Sequence, residues 1–201
     1  MHSNNLITGM VLLAVFSIFS NAYGQTDNPA QSHCLAEERV QFSCHINTKI
    51  VSLCAAGGPG TITALSYRYG LPGKVENEFT ARADNANRFF ATVSPASPGA
   101  LVTQVWFDRG DVRYLLTECT GGNCPQDGGL AVLRGDKVLM NAHCAHSVEG
   151  DQPGFASELI TFGSEEDSMR DDNMRSNTKL LKIEDTGIDI YTLFPNKHGP
   201  I

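Results

Sequence analysis

Residues 132–144 read VLRGDKVLMNAHC, two short apolar runs around Gly135-Asp136, the second ending on a cysteine. Glycine takes a positive φ without steric penalty, so Gly-Asp between two such runs predicts a tight β-hairpin. Residues 107–119, FDRGDVRYLLTEC, repeat the plan: Arg109 precedes Cys119 by the same ten residues that separate Arg134 from Cys144. The echo predicts two similar hairpins in one sheet. Within KVLMNAH, Val138, Met140 and Ala142 alternate with Leu139, Asn141 and His143, the period of a strand. An Arg-Gly-Asp triplet can also serve cell adhesion. Both triplets stand where a hairpin has to turn, which accounts for them without adhesion.

Working outward, the other apolar runs are short and rich in Val, Ile, Thr, Tyr and Phe, with turn residues between them. The pattern predicts strands at 40–45, 49–54, 61–69, 88–93, 101–107, 112–119, 130–134, 137–143, 179–183 and 188–193. Many short strands each have to bury one face against a second layer. The expected fold is therefore all-β: a single disulfide-stabilised sandwich or barrel with a less regular C-terminal extension. Residues 25–148 form the β-domain in this reading. Residues 149–201 hold an acidic loop, GSEEDSMRDDNMRSN at 163–177, and final strands packed on the same domain. The acidic stretch reads as a solvated loop, because it lacks packing groups and the D-x-D-x-D-G ligand spacing of a calcium loop.

Residues 1–24 read as a secretory signal peptide. Leu6 to Ser20 is an apolar run too short for a comfortable membrane span, followed by Ala22-Tyr23-Gly24 with small residues at the cleavage positions. No cysteine sits at the cleavage point, so no membrane anchor is expected after processing. Six cysteines at 34, 44, 54, 119, 124 and 144 fall beyond it, and an even number in an exported chain predicts three disulfides. No Asn-x-Ser/Thr sequon occurs, which favours a bacterial periplasm or exterior. A net charge of −7 without any basic cluster excludes nucleic acid as a natural partner.

The Ala-His-Cys at 142–144 is also how trypsin-like proteases present their catalytic histidine. The serines that follow (Ser147, Ser157, Ser164, Ser168, Ser176) lie in no Gly-Asp-Ser-Gly-type loop, so His143 has no serine to activate. A cysteine nucleophile needs an unpaired thiol beside a histidine base. That alternative, a small periplasmic hydrolase of Cys/His type, would draw on Cys119 or Cys124 with His143 or His146. Histidine stands beside three cysteines, at His33-Cys34, Cys44-His45 and His143-Cys144. A Cys44–Cys144 bridge would make His45, His143 and His146 weak candidates for a metal site, although consecutive residues on a strand face opposite ways. The expectation is no metal and no cofactor, with His143 structural. No phosphate loop, dinucleotide fingerprint or H-E-x-x-H motif is present.

The cysteine spacing constrains the pairing. Cys119 and Cys124 enclose the flexible segment TGGN, so a local bridge is expected there. Cys44 and Cys54 flank a hairpin turning near Asn47-Thr48, and its tight-turn register does not set them opposite one another. They are expected to bond elsewhere, one of them to Cys144.

Three segments carry a resemblance: ERVQFSCHINTKIVSLCA at 38–55, LSYRYGLPGKVENEF at 65–79 and GGLAVLRGDKVLMNAHC at 128–144. Together they resemble a loosely defined family of small exported bacterial proteins of unassigned function. The overall plan also looks like that of the periplasmic lysozyme inhibitors, which are disulfide-stapled β-barrels. The first likeness implies a β-rich exported domain and supplies no catalytic residues. The functional expectation is an envelope binding or inhibitory module with a protein partner, such as a cell-wall hydrolase or a toxin. Aromatic and arginine side chains dominate binding hot spots, which singles out Tyr67, Arg68, Tyr69, Trp106 and Phe107. The competing expectation for Trp106 and most tyrosines is burial in the core.

Overall fold

The structure is a computed structural model that describes residues 32–58, 60–97, 99–122, 124, 128–145, 158–161 and 174–194. The expected signal peptide, His146 and most of the acidic stretch lie outside the described residues. The fold is all-β, built on two main sheets. Strands β1 (Arg39–Ile46), β2 (Lys49–Ala56), β3 (Ala64–Leu71) and β4 (Lys74–Arg82) form an antiparallel sheet in sequence order. Strands β5 (Phe89–Ser97), β6 (Ala100–Arg109), β7 (Val112–Gly121), β8 (Gly128–Arg134) and β9 (Lys137–His143) form the second. A short β12 (Leu181–Ile183) joins it parallel to β5. β10 (Ile160–Thr161) and β11 (Arg175–Ser176) make a two-residue ladder of their own. The sheets have open orders, so the sandwich alternative holds and the closed barrel does not.

Both Arg-Gly-Asp triplets turn hairpins in the larger sheet. Arg109 pairs with Val112 and Arg134 with Lys137, leaving two-residue loops whose glycines carry φ of 62° and 55°. Both arginines are engaged within the chain. Arg109 donates to Asn77 Oδ1 and to the carbonyl of Glu78, and Arg134 pairs with Asp111 at 3.0 Å.

Two expectations need correction. Strand β4 was not expected. Its sequence, KVENEFTAR, packs only Phe79 and Ala81 into the core and spends Glu76, Glu78 and Thr80 on the other face, so charge masks its apolar alternation. That charge suits a sheet edge, where a free backbone row invites pairing with other chains. Its end is closed: Asn85 and Asn87 donate to the carbonyl of Thr80, and the amide of Arg82 donates to Asn85 Oδ1. The other correction concerns 188–193, expected as a strand from its isoleucines. Residues Ile190–Leu193 form a single helical turn, α1. Asp189 caps it by accepting from the Tyr191 amide, and Ile190, Leu193 and Phe194 fall on one buried side at helical spacing.

The core lies between the sheets. Phe42, Leu53, Leu65 and Tyr67 meet Phe89, Val105, Phe107, Leu116 and Leu130. Phe107 is central to it: its ring stacks on Phe79 at 4.1 Å and on Tyr114 at 5.0 Å, and meets Tyr67 at 5.0 Å. Leu159, Ile160, Leu180 and Leu181, from beyond residue 149, complete this layer. A second cluster covers the outer face of the larger sheet, where Val102, Trp106, Leu115, Ala131 and Leu133 pack under Ile190, Leu193 and Phe194.

Candidate functional site

The disulfides decide what the cysteine and histidine groups can do. Cys34 bonds Cys54, Cys44 bonds Cys144, and Cys119 bonds Cys124. No cysteine is free. The local bridge and the link from the first hairpin to Cys144 follow the expected pairing. Cys44–Cys144 ties the two sheets together at a corner, where the amide of Ala145 also donates to the carbonyl of His45.

That corner separates its histidines. Phe42, Cys44 and Ile46 point into the core, so His45 stands on the outer face of the smaller sheet. Ala142 and Cys144 also pack on the core, whereas the ring of His143 lies 5.3 Å from Phe194, on the outer face of the larger sheet. The sandwich stands between the two imidazoles. Among the described residues, the group of three metal-ligating side chains that comes together is Cys34, Glu38 and Cys54. Both its sulfurs are spent in a disulfide and its carboxylate is held by Arg68, so it offers a metal little.

The residues expected to form a binding surface are mostly interior. Tyr67, Trp106 and Phe107 are at most 4% exposed and Arg68 is 7% exposed, while Tyr69 is half-buried. Period-2 alternation sends Tyr67 and Tyr69 inward and Arg68 outward, but the chain from Ser32 to Glu38 folds over Arg68. The amide of His33 donates to Ser52 Oγ at 2.9 Å, and Cys34 is bolted to Cys54 beside it. Arg68 donates to both carboxylate oxygens of Glu38, to Glu78 Oε1 at 2.9 Å and to the carbonyl of His33. Burial alone would raise the Glu38 carboxyl, but the Arg68 guanidinium and the Leu35 amide offset it and hold the group below its ordinary range. This paired network orders the leading segment.

Across the molecule, the outer face of the larger sheet carries a buried and less fully paired row of polar groups. Thr92, Gln104 and Thr117 are cross-strand neighbours in one row, each at most 1% exposed. Gln104 Oε1 accepts from the Ile188 amide at 2.8 Å, and its Nε2 donates to the Ile188 carbonyl at 2.6 Å. The side-chain amide thus pairs with this residue as a neighbouring strand would. The hydroxyls on either side, Thr92 Oγ1 and Thr117 Oγ1, have no hydrogen-bond partner among the described residues. At the far edge, Asn141 Nδ2 donates to the Leu193 carbonyl at 2.8 Å. The segment Gly187–Phe194 therefore crosses the sheet from β5 and β6 to β9, held by an amide at each end. It covers Trp106, whose indole also stacks on Phe90 and lies 5.0 Å from the Arg113 guanidinium.

This crossing was missed in the sequence. Its signals were Gln104 within the apolar run LVTQVWF, and the Ile190, Leu193, Phe194 spacing. No protein-family model, curated protein or solved structure matches the chain.

Proposed function

We propose that the protein is an exported binding module of the bacterial envelope, one that occludes a basic partner such as a cell-wall hydrolase or toxin. The observation that carries this reading is the complete oxidation of the cysteines, which leaves the Cys/His hydrolase alternative without a nucleophile. Three bridges in a two-sheet domain also suit an oxidising compartment and a rigid surface, and a rigid surface loses little conformational entropy when it binds. The charge of −7 would steer a basic partner and weaken in effect as salt rises.

The test is a cell-wall hydrolysis assay with purified basic hydrolases and increasing amounts of the oxidised protein. Saturable inhibition is expected, stronger at low ionic strength and lost after the disulfides are reduced. Absence of binding to basic envelope hydrolases and toxins at low salt, or hydrolysis by the protein itself, would overturn the proposal.

A further inference from the structure

Cys34, Glu38 and Cys54 bring two sulfurs and a carboxylate within 4.8 Å of one another over the outer face of the smaller sheet. Neither of the other two bridges has a third metal-ligating side chain this near, among the described residues. The Cys34–Cys54 bond occupies both sulfurs, so in the oxidised protein they are not ligands. The surrounding contacts, however, hold the three groups in place independently of that bond. Before Cys34, the His33 amide donates to Ser52 Oγ at 2.9 Å and Arg68 donates to the His33 carbonyl at 3.3 Å. After it, Arg68 donates to both oxygens of Glu38, and Leu35 and Glu38 exchange hydrogen bonds across the turn between them. Cys54 sits within β2, paired on one side with β1 and on the other with β3. Opening the bridge therefore leaves two thiols and a carboxylate side by side. We propose that reduction of Cys34–Cys54 converts this cluster into a zinc site, with both thiolates and Glu38 as protein ligands and solvent in the fourth position.

A dithiol reductant supplies the two electrons. Its thiolate attacks Cys34 Sγ, the partly exposed sulfur, and the buried Cys54 leaves as a thiolate. The second thiol of the reductant then displaces Cys34 and closes the reductant's own disulfide. Zinc displaces the protons of the two thiols and takes both thiolates together with a carboxylate oxygen, a donor set it favours. Tetrahedral zinc with Zn–S bonds of about 2.3 Å holds its sulfurs roughly 3.8 Å apart, a spacing that Cα atoms 5.4 Å apart permit. Glu38 has room for the metal. An ionised carboxylate offers about four lone-pair sites. Oε2 accepts from Arg68 and from the Leu35 amide, whereas Oε1 accepts from Arg68 alone and keeps a site free. Arg68 becomes the group that orients the ligating carboxylate, and its charge offsets the single negative charge left when zinc joins two thiolates and a carboxylate. Zinc then pins Ser32–Glu38 to β2 as the bridge does, so the leading segment stays seated in both redox states.

The experiment titrates zinc against a chromophoric competitor, using the protein before and after treatment with a dithiol and anaerobic desalting. The reduced protein should bind one equivalent and the oxidised protein none. Alkylation with peptide mass mapping should find Cys34 and Cys54 protected by zinc, and cobalt in its place should give a thiolate-to-metal charge-transfer band. Glu38→Gln should weaken zinc binding by about tenfold or more. Where the dithiol opens the other bridges as well, Cys34→His takes the place of the reduced protein. That variant cannot form the bridge, keeps a nitrogen ligand at position 34, and should bind zinc without reductant. A folded protein with Cys34 and Cys54 reduced that takes up no zinc would overturn the proposal, as would a folded Cys34→His variant that takes up none. Unchanged affinity in Glu38→Gln, or zinc protection that falls on other cysteines, would overturn it equally.

Discussion

Removing the three disulfides one at a time should produce unequal losses of stability that rank by sequence separation. In the chain-entropy description, a bridge stabilises by restricting the unfolded chain, and the effect grows with the logarithm of the loop it closes. Cys44–Cys144 closes a separation of 100 residues, Cys34–Cys54 one of 20 and Cys119–Cys124 one of 5. The same relation gives about 5, 3 and 2 kcal/mol respectively. Each pair should be replaced by two alanines, so that no orphan thiol remains to scramble. For a domain of this size 1 kcal/mol corresponds to ~2–4 °C, so the losses in Tm should be ~10–20 °C, ~6–12 °C and ~4–8 °C. Differential scanning calorimetry with a chemical-denaturation series would measure them, and m-values that rise most on loss of the longest loop would report the released unfolded chain. Equal losses for the longest and shortest loops would refute the reasoning and place the stabilisation in native contacts.

Three further outcomes are expected. Phe107→Ala removes the ring shared by Phe79, Tyr67 and Tyr114 and should destabilise the protein by ~3–5 kcal/mol in urea unfolding, whereas Phe107→Leu should retain most of the stability. Glu38 is held below its ordinary carboxyl range, so its contribution is complete above the unfolded-state pKa and is lost as pH falls through the lower folded-state value. Thermal melts of Glu38→Gln across the acid range should accordingly show lower stability near neutrality and a flatter acid limb than the parent; parallel limbs would dismiss the coupling to Arg68. His143→Ala should lower Tm by only a few degrees, because its ring rests on Phe194 at an exposed position, and loss of a binding activity in a folded variant would contradict that structural role.

What the sequence revealed and what it concealed follow from the same physics. The hairpins at Gly110 and Gly135 were legible because Gly-Asp between apolar runs is a local instruction, satisfied wherever the rest of the chain goes. The Cys119–Cys124 bridge was legible for the same reason. Strand β4 was hidden because an edge strand needs charge for solubility, and Glu76, Glu78 and Lys74 broke up the apolar signal. Residues 188–193 misled because Ile188 and Ile190 favour strand locally, whereas burial of Ile190, Leu193 and Phe194 against the sheet selects one helical turn. The aromatic and arginine residues 67–69 exposed a further limit. Alternation tells which side chains share a face, but not that Ser32–Glu38 covers the outer one. Gln104 was visible as a polar residue in an apolar strand, yet its partner Ile188 lies 84 positions away.

The side chains gathered along β4 bear on how the protein behaves when crowded. Fibrillar aggregates grow when an incoming strand finds a continuous row of free amides and carbonyls on a sheet edge. Along this one, the carbonyls of Glu78 and Thr80 and the amide of Arg82 already face Arg109, Asn85 and Asn87. A strand arriving from another molecule has to displace these side chains to pair with those three groups, which disfavours templated growth from that part of the edge. Asn85 and Asn87 contribute little to the core, yet their hydrogen bonds to Thr80 and Arg82 hinder such pairing, a consequence that core stability alone would never reveal.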